Sequence, residues 1–151
     1  MKKPVPLPDY ENIQNLGVLK EAAAAYISND TYFIIDKARE GVTKGAFMKF
    51  IESLDYSLKE IANILNISER TLHRYKDTTK LSKDASERAL HLANLYNKGA
   101  EVFGSKDAFN SWLKQPNPIF WDKRPIDFLD TIFGFQLIED ELVKMEHGIF
   151  A

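Results

Sequence analysis

The sequence predicts an all-α protein, and three features of the 151-residue chain support that fold class. Apolar residues recur at helical spacing through most of the chain, and no segment alternates polar and apolar residues as a strand does. Serine or threonine stands just before several of these segments, where its side chain can cap a helix. Residues 57–76 show both features twice in succession, which indicates a helix-turn-helix.

Upstream of the helix-turn-helix, the sequence predicts a leader and three helices. Residues 1–12 are rich in proline and polar, as is typical of an extended or disordered leader. A first helix is predicted over residues 13–27, and polar residues 29–31 separate it from a second over residues 32–40. A third is predicted over residues 44–54. The first of these helices carries its apolar residues on one face: Leu16, Leu19, Ala23 and Ile27.

The helix-turn-helix begins at Ser57, which stands three residues before Glu60 in the pattern of a capping box. Asn66 stands at the turn, where its tolerance of the left-handed backbone is useful. Ser68 is placed to cap a second helix that runs to about residue 76. The apolar face of the first helix comprises Leu58, Ile61, Ala62 and Leu65.

The second helix of this motif has the composition of a DNA recognition helix. Its side chains suit contacts with base edges and phosphates in a DNA major groove. We therefore interpret them as candidate DNA-binding residues. The exposed face is expected to present Glu69, Arg70, Thr71, His73, Arg74 and Lys76.

After the helix-turn-helix, the sequence predicts one long helix and several shorter elements. Ser82 is expected to cap the long helix, which runs to about Phe103 and ends at Gly104. A helix of this length often connects two modules. A shorter helix follows and ends before residues 115–118, which must be irregular because proline cannot continue a helix. One apolar stripe is expected from Ile126, Leu129 and either Ile132 or Phe133, and Gly134 is expected to interrupt it before the final helix. The acidic residues 139–141 are expected to be solvated or to form part of an interface.

These boundaries divide the chain into four parts. Residues 1–12 form a leader, and residues 13–81 form a helical domain that contains the helix-turn-helix. Residues 82–104 are a connecting helix, and residues 105–151 form a C-terminal helical domain. We expect Trp112 to lie in the core of that domain, whereas the sequence leaves Trp121 open between the core and an exposed anchor.

Charge is distributed unevenly along the chain, whose net charge is −2. Residues 41–98 contain ten Lys or Arg and seven Asp or Glu, giving +3, whereas residues 99–151 contain five and nine, giving −4. The positive part holds the helix-turn-helix and can meet phosphate. The acidic part would be repelled by DNA, so it is available for a different partner.

The sequence does not support several other classes of protein. The chain has no cysteine, which fits a reducing cytoplasm, and no apolar segment long enough to span a membrane. Polar residues and prolines follow residues 1–3, so we expect no signal peptide. His73, His91 and His147 form no metal-ligand pair at helical spacing, and no phosphate loop or nucleophile elbow is present. We expect no catalytic residue, no metal and no cofactor.

Residues 33–151 resemble the Xre/MbcA/ParS family of antitoxins, which partner RES-domain toxins. The segment ILNISERTL at residues 64–72 matches the family's helix-turn-helix, although that part is generic. Asn66 replaces the usual glycine, Lys144 replaces a common arginine, and His73 varies the recognition helix, so the operator sequence is not predictable. The more specific matches are the ordered set Trp112-Leu113, Pro116-Asn117-Pro118, Pro125, Leu129-Asp130-Thr131, Gly134 and Met145-Glu146-His147-Gly148-Ile149-Phe150.

The resemblance implies a bacterial type II toxin–antitoxin module. The antitoxin would bind a RES-domain toxin, an NAD-consuming enzyme similar to ADP-ribosyltransferases, through its C-terminal domain. It would also form a homodimer and repress its own operon by binding operator DNA through the helix-turn-helix. The implied toxin-binding residues are Trp121, Lys123, Arg124, Lys144, Glu146, His147, Gly148, Ile149 and Phe150.

Two alternatives remain open at this point. The chain could be a stand-alone transcriptional regulator whose C-terminal domain senses a ligand or a partner, with no toxin encoded beside it. It could also be a protein-interaction module whose helix-turn-helix serves only as a scaffold. The basic residues Arg70, Arg74 and Lys76 weigh against the scaffold.

Overall fold

The computed structural model describes residues 31–148, and over that range the protein is all-α. Three short 3₁₀ segments, Glu52–Leu54, Pro118–Phe120 and Pro125–Phe128, lie between the helices. Within the described range, β-type backbone pairing occurs only at isolated bridges, Thr43 with Lys80 and Asn117 with Lys123. The α-helices are α1 (Thr31–Glu40), α2 (Lys44–Ile51), α3 (Leu58–Leu65), α4 (Glu69–Arg74), α5 (Lys83–Phe103), α6 (Lys106–Leu113) and α7 (Ile132–Glu146).

Part of the predicted chain organisation lies outside these residues. The leader, the predicted helix over residues 13–27, and two implied toxin-binding residues, Ile149 and Phe150, are not described. Within residues 31–148 no helix is both long enough and apolar enough to cross a bilayer.

Helix α5 lies at the centre of the described fold, where it packs against α1, α3, α6 and α7. The Ser82 hydroxyl accepts a hydrogen bond from the Ala85 N–H at its start, and Gly104 (φ +87°) ends it, as predicted. Leu90, Leu92 and Leu95 of this helix are fully buried. The helix therefore joins the two halves as a shared core element, with both halves packed against it.

Helix α2 is shorter than predicted. Its α-helical part ends at Ile51, and the 3₁₀ segment Glu52–Leu54 continues to the left-handed residue Asp55 (φ 55°). Leu54 stays buried at 2% exposure. The tighter 3₁₀ winding keeps that apolar residue in the core while the chain reverses toward α3.

The C-terminal half contains two corrections. Gly134 does not interrupt the final helix but lies in its first turn, where the Thr131 hydroxyl accepts a hydrogen bond from the Gly134 N–H at 3.0 Å. Glycine is needed there because a Cβ would lie 1.5 Å from the Phe128 carbonyl oxygen. Pro118 begins a 3₁₀ segment, so the irregular part ends one residue earlier than predicted.

The acidic residues 139–141 are not all solvated, contrary to the prediction. Glu141 is 4% exposed and forms an ion pair with Lys144 at 2.9 Å. The helical period explains this, because Glu141 lies next to Leu142 and three residues after Ile138, both of which are buried.

Candidate functional site

The first helix of the helix-turn-helix, α3, begins with the predicted capping box. The Ser57 hydroxyl accepts a hydrogen bond from the Glu60 N–H at 3.1 Å, and the Glu60 carboxylate accepts one from the Ser57 N–H at 2.9 Å. Ile61, Ala62 and Leu65 are buried as expected. Leu58 shares their helical face but, as the first residue of the helix, is 37% exposed.

The turn between α3 and α4 has the predicted backbone conformation. Asn66 adopts the left-handed region (φ 55°, ψ 43°), and its N–H donates to the Asn63 carbonyl at 3.2 Å. The Ile67 N–H donates to the Ala62 carbonyl at 3.1 Å. These bonds satisfy the end of α3 and fix the angle at which α4 leaves it.

We expect Asn66→Ala to lower the free energy of unfolding by about 1 kcal/mol, because alanine tolerates the left-handed backbone less well than asparagine. Asn66→Gly should leave the free energy of unfolding unchanged, since glycine adopts this conformation without strain. Asn63→Ala, an exposed change within the right-handed helix, is the matched control and should be neutral or slightly stabilising. Urea denaturation of the three variants measures the difference; equal stabilities for Asn66→Ala and Asn66→Gly would contradict it.

Helix α4, the candidate recognition helix, has six residues and is held at both ends. At its start, the Ser68 hydroxyl accepts from the Thr71 N–H at 3.0 Å and donates to the Thr71 hydroxyl at 2.8 Å. At its end, the Lys44 ammonium donates to the Tyr75 carbonyl at 2.8 Å. Leu72, fully buried, anchors the helix against the core.

Four of the six predicted DNA-binding residues lie on α4 with exposed side chains: Glu69, Arg70, His73 and Arg74. Arg70 and Arg74 are four residues apart and therefore project from one side of the helix. Two predictions need correction. Thr71 is only half-exposed, with its hydroxyl bonded to Ser68, and Lys76 lies beyond the helix because Tyr75 is already extended.

The predicted toxin-binding residue Trp121 is exposed, which resolves the question the sequence left open. Its side chain is 68% exposed and its backbone is left-handed (φ 54°), as is that of Asp122 (φ 61°). The indole packs on the Phe128 ring, with centroids 5.7 Å apart. The Asn117 N–H donates to the Lys123 carbonyl at 3.1 Å and closes this turn. The side chain of Lys123 is exposed.

Trp112, in contrast, packs against the core as predicted. Its ring lies 6.0 Å from that of Phe109 and 5.7 Å from that of Phe120, centroid to centroid. Phe109 and Phe120 are fully buried. This aromatic cluster joins α6 to the 3₁₀ segment Pro118–Phe120 and supports the turn that presents Trp121.

Arg124 makes intramolecular ion pairs. Its guanidinium donates to both Asp127 carboxylate oxygens, at 2.7 and 3.2 Å, and lies 3.4 Å from the Glu60 carboxylate. The Asp127 hydrogen bonds are the main reason why the pKa of Arg124 is raised. Because Glu60 belongs to the capping box of α3, Arg124 connects the C-terminal half to the helix-turn-helix.

A second polar connection ties helix α6 to the turn before Ser57. The Lys114 ammonium donates to the Leu54 and Asp55 carbonyls at 2.6 and 2.7 Å, and the Asn110 amide donates to the Leu54 carbonyl at 3.0 Å. The Asn110 side-chain oxygen accepts from the Tyr96 hydroxyl at 2.7 Å, and burial raises the pKa of Tyr96. No sequence pattern indicated this network, because its hydrogen bonds to the Leu54 and Asp55 carbonyls join residues more than fifty positions apart.

The remaining described residues of the predicted toxin-binding set lie at the end of α7. Lys144, Glu146, His147 and Gly148 are exposed, and the hydrogen bond with Glu141 raises the pKa of Lys144. Gly134, which abuts Phe128 and thus the Trp121 turn, lies ten residues earlier, about 15 Å along the helix. The structure therefore places the two groups at opposite ends of α7.

One exposed aromatic residue of the C-terminal half was missed in the sequence analysis. Phe133 is 83% and Ile132 48% exposed, although the sequence suggested that one of the two belonged to an apolar stripe with Ile126 and Leu129. Phe133 precedes Gly134 and so lies at the same end of α7 as the Phe128 ring. Its position could have been found from the sequence, because Phe135, Ile138 and Leu142 define one helical face from which Phe133 is excluded.

The described residues contain no group of three or more His, Cys, Asp or Glu side chains placed to hold a metal ion. His91 and Glu139 do approach each other, with Nδ1 and Oε1 3.6 Å apart. This polar contact with His91 is the main reason why the pKa of Glu139 is lowered. This pair lies beside the Phe135 ring, which indicates a structural contact between α5 and α7.

Two family descriptions match adjoining parts of this chain. Residues 33–94 match the antitoxin Xre-like helix-turn-helix domain, and residues 98–148 match the antitoxin Xre/MbcA/ParS C-terminal toxin-binding domain. These matches identify the class of protein as an antitoxin with a helix-turn-helix followed by a toxin-binding domain.

A relative from Sphingobium sp. (strain YBL2), named Prs ADP-ribosylating antitoxin, is 32% identical over 123 residues. The similarity covers 75% of this chain and 77% of the relative. This chain belongs to the Xre/MbcA/ParS antitoxin family, as the resemblance in its sequence predicted.

Proposed function

We propose that this antitoxin binds and neutralises a RES-domain toxin, an NAD-consuming enzyme similar to ADP-ribosyltransferases. The main support is the match of residues 98–148 to a toxin-binding domain, together with the exposed aromatic residues of that segment. The name of the Sphingobium relative adds support, because it associates that protein with ADP-ribosylation of Prs. Under this proposal the chain acts in the cytoplasm and is not itself an enzyme.

The toxin-binding surface that we propose centres on Trp121 and Phe133. These two aromatic side chains, 68% and 83% exposed, present large apolar areas that a protein partner would bury. Residues 99–151 carry a net charge of −4, which suits a toxin whose active site is positive in order to hold the phosphates of NAD.

The other implied residues take different roles in this proposal. Lys123 lies at the edge of the surface, and Arg124 positions the segment through Asp127 and Glu60. Lys144, Glu146 and the residues that follow would form a second contact at the far end of α7. Because the two contacts are well separated, a toxin that uses both must extend along the helix.

We expect Trp121→Asn to weaken toxin binding at least about thirtyfold, because exposed aromatic anchors often contribute about 2 kcal/mol or more to an interface. Asparagine tolerates the left-handed backbone at this position, so the fold should be retained. Leu58→Asn is the matched control, since it removes an exposed apolar side chain outside the toxin-binding match. Calorimetric titration with purified toxin measures the affinity of each variant. If Trp121→Asn binds the toxin as tightly as the unchanged chain does, Trp121 is not part of the interface.

We further propose that the helix-turn-helix binds operator DNA and that the chain represses its own operon as a homodimer. Exposed Arg70 and Arg74 on one side of α4 support DNA binding, and the net charge of +3 over residues 41–98 agrees with it. Most helix-turn-helix proteins read symmetric half-sites, which two copies of the chain would match.

Co-expression with the neighbouring gene tests the neutralising function in cells. Expression of that gene alone should arrest growth, and co-expression of this chain should restore it. Restoration should be lost in the chain with Trp121→Asn and Phe133→Asn but retained in the chain with Arg70→Ala and Arg74→Ala, which separates neutralisation from repression. Growth arrest that this chain fails to relieve would refute the proposal.

A further inference from the structure

An apolar groove of about 470 Å³ lies between α1, α5 and the start of α7. Ile34, Ile35, Ala38 and Ile132 provide its apolar lining. Ile35 and Ile132 are 41% and 48% exposed, which is high for isoleucine in a folded chain. None of the residues that line the groove belongs to α4, so the groove is not part of the DNA-binding surface proposed above.

The segment that precedes α1 has the properties of an occupant. Thr31, the first residue of α1, lines the groove, so the preceding thirty residues start from its edge. The sequence of residues 13–27 predicts an amphipathic helix with Leu16, Leu19, Ala23 and Ile27 on one face. The tether keeps this face at high local concentration near the groove, whatever the concentration of the protein.

We propose that residues 13–27 bind this groove in the same chain, as an amphipathic helix antiparallel to α1. Residues 28–30 would form the connection, and three residues fall within the usual loop length of a two-helix hairpin. The apolar face of the segment then covers Ile34, Ile35 and Ile132 and extends the core of the helix-turn-helix half. The inference is independent of toxin and DNA binding.

Charge supports the antiparallel direction. The Val42 N–H donates to the Ser86 hydroxyl at 2.9 Å, so Glu87 lies near the C-terminal end of α1. An antiparallel segment brings its earlier residues to that end. Lys20 lies beside the apolar face of the predicted helix, one turn after Leu16, and so meets Glu87, the acidic residue that lines the groove.

Paramagnetic broadening in the full chain tests this inference directly. The chain has no cysteine, so Ala25→Cys provides a single site for a nitroxide, on the side of the predicted helix away from the groove. We expect the amide signals of Ile34, Ala38 and Ile132 to lose intensity when isotope-labelled, spin-labelled chain is diluted with excess unlabelled chain. Adding Leu19→Asp or Lys20→Glu should restore these signals, whereas Val18→Asp, on the other side of the helix, should not.

A second sample separates the two possible sources of the segment. When isotope-labelled chain without nitroxide is mixed with spin-labelled chain, the groove signals should stay intact. Broadening in the mixed sample alone would overturn the inference, because a second copy would then fill the groove. Intact signals in both samples, or broadening that Leu19→Asp leaves unchanged, would show that residues 13–27 do not bind there.

Discussion

Replacing Gly134 with alanine is expected to unfold the C-terminal half of the protein. A Cβ at this position would lie 1.5 Å from the Phe128 carbonyl oxygen and 2.5 Å from its carbonyl carbon. Both are backbone atoms that cannot rotate away, so α7 would have to separate from the segment Pro125–Phe128. We expect a loss of more than about 3 kcal/mol in the free energy of unfolding, at or beyond the upper range for overpacked cores.

Gly104→Ala provides the matched control for this prediction. Gly104 favours glycine for a different reason, its left-handed backbone (φ +87°), and a Cβ there would meet no atom within 4 Å. We expect Gly104→Ala to lower the free energy of unfolding by about 1–2 kcal/mol, from backbone strain alone. Denaturation followed by circular dichroism compares the two variants. A similar cost at both positions would show that α7 does not approach Phe128 as closely as the structure indicates.

The double change Arg70→Ala and Arg74→Ala is expected to reduce operator binding about a hundredfold or more. Both side chains are exposed on α4, and an arginine contact with a base edge contributes about 1–3 kcal/mol. The dependence of the binding constant on salt should also weaken, by about one unit of slope for each phosphate contact that is lost. Fluorescence anisotropy with the chain's own promoter DNA at several salt concentrations measures both effects.

The control removes the same charge elsewhere. Lys49 and Lys98 are exposed on α2 and α5, and changing both to alanine lowers the net charge equally without altering α4. This variant should keep most of its affinity. If it loses as much affinity as the α4 variant, DNA binding depends on overall charge, and α4 is not the recognition helix.

The local signals in the sequence predicted the helix-turn-helix well. Ser57 with Glu60, Asn66, and Ser68 act through hydrogen bonds to residues at most four positions away, so their patterns can be read without a structure. Ser82 and Gly104 likewise defined both ends of α5. The end of α4 was misplaced because the bond from Lys44 to the Tyr75 carbonyl joins residues thirty-one positions apart.

The surface of the C-terminal half was harder to predict. Gly134 looked like a break because its close approach to Phe128 depends on how two elements pack. Arg124 looked available to a partner because its ion pair with Glu60 spans more than sixty positions. Apolar periodicity shows which face of a helix is buried but not which element covers it, so the exposure of Trp121 also needed the structure.

Co-purification tests the central claim that this antitoxin neutralises an NAD-consuming toxin. The tagged chain is expressed with the gene beside it in its genome, and NAD consumption is assayed in the purified complex and after dissociation of the chain. We predict that a RES-like protein co-elutes and that its NAD consumption is suppressed until the chain is removed. If nothing co-elutes while the chain alone binds its own promoter DNA, the claim is contradicted and a stand-alone regulator becomes the better account.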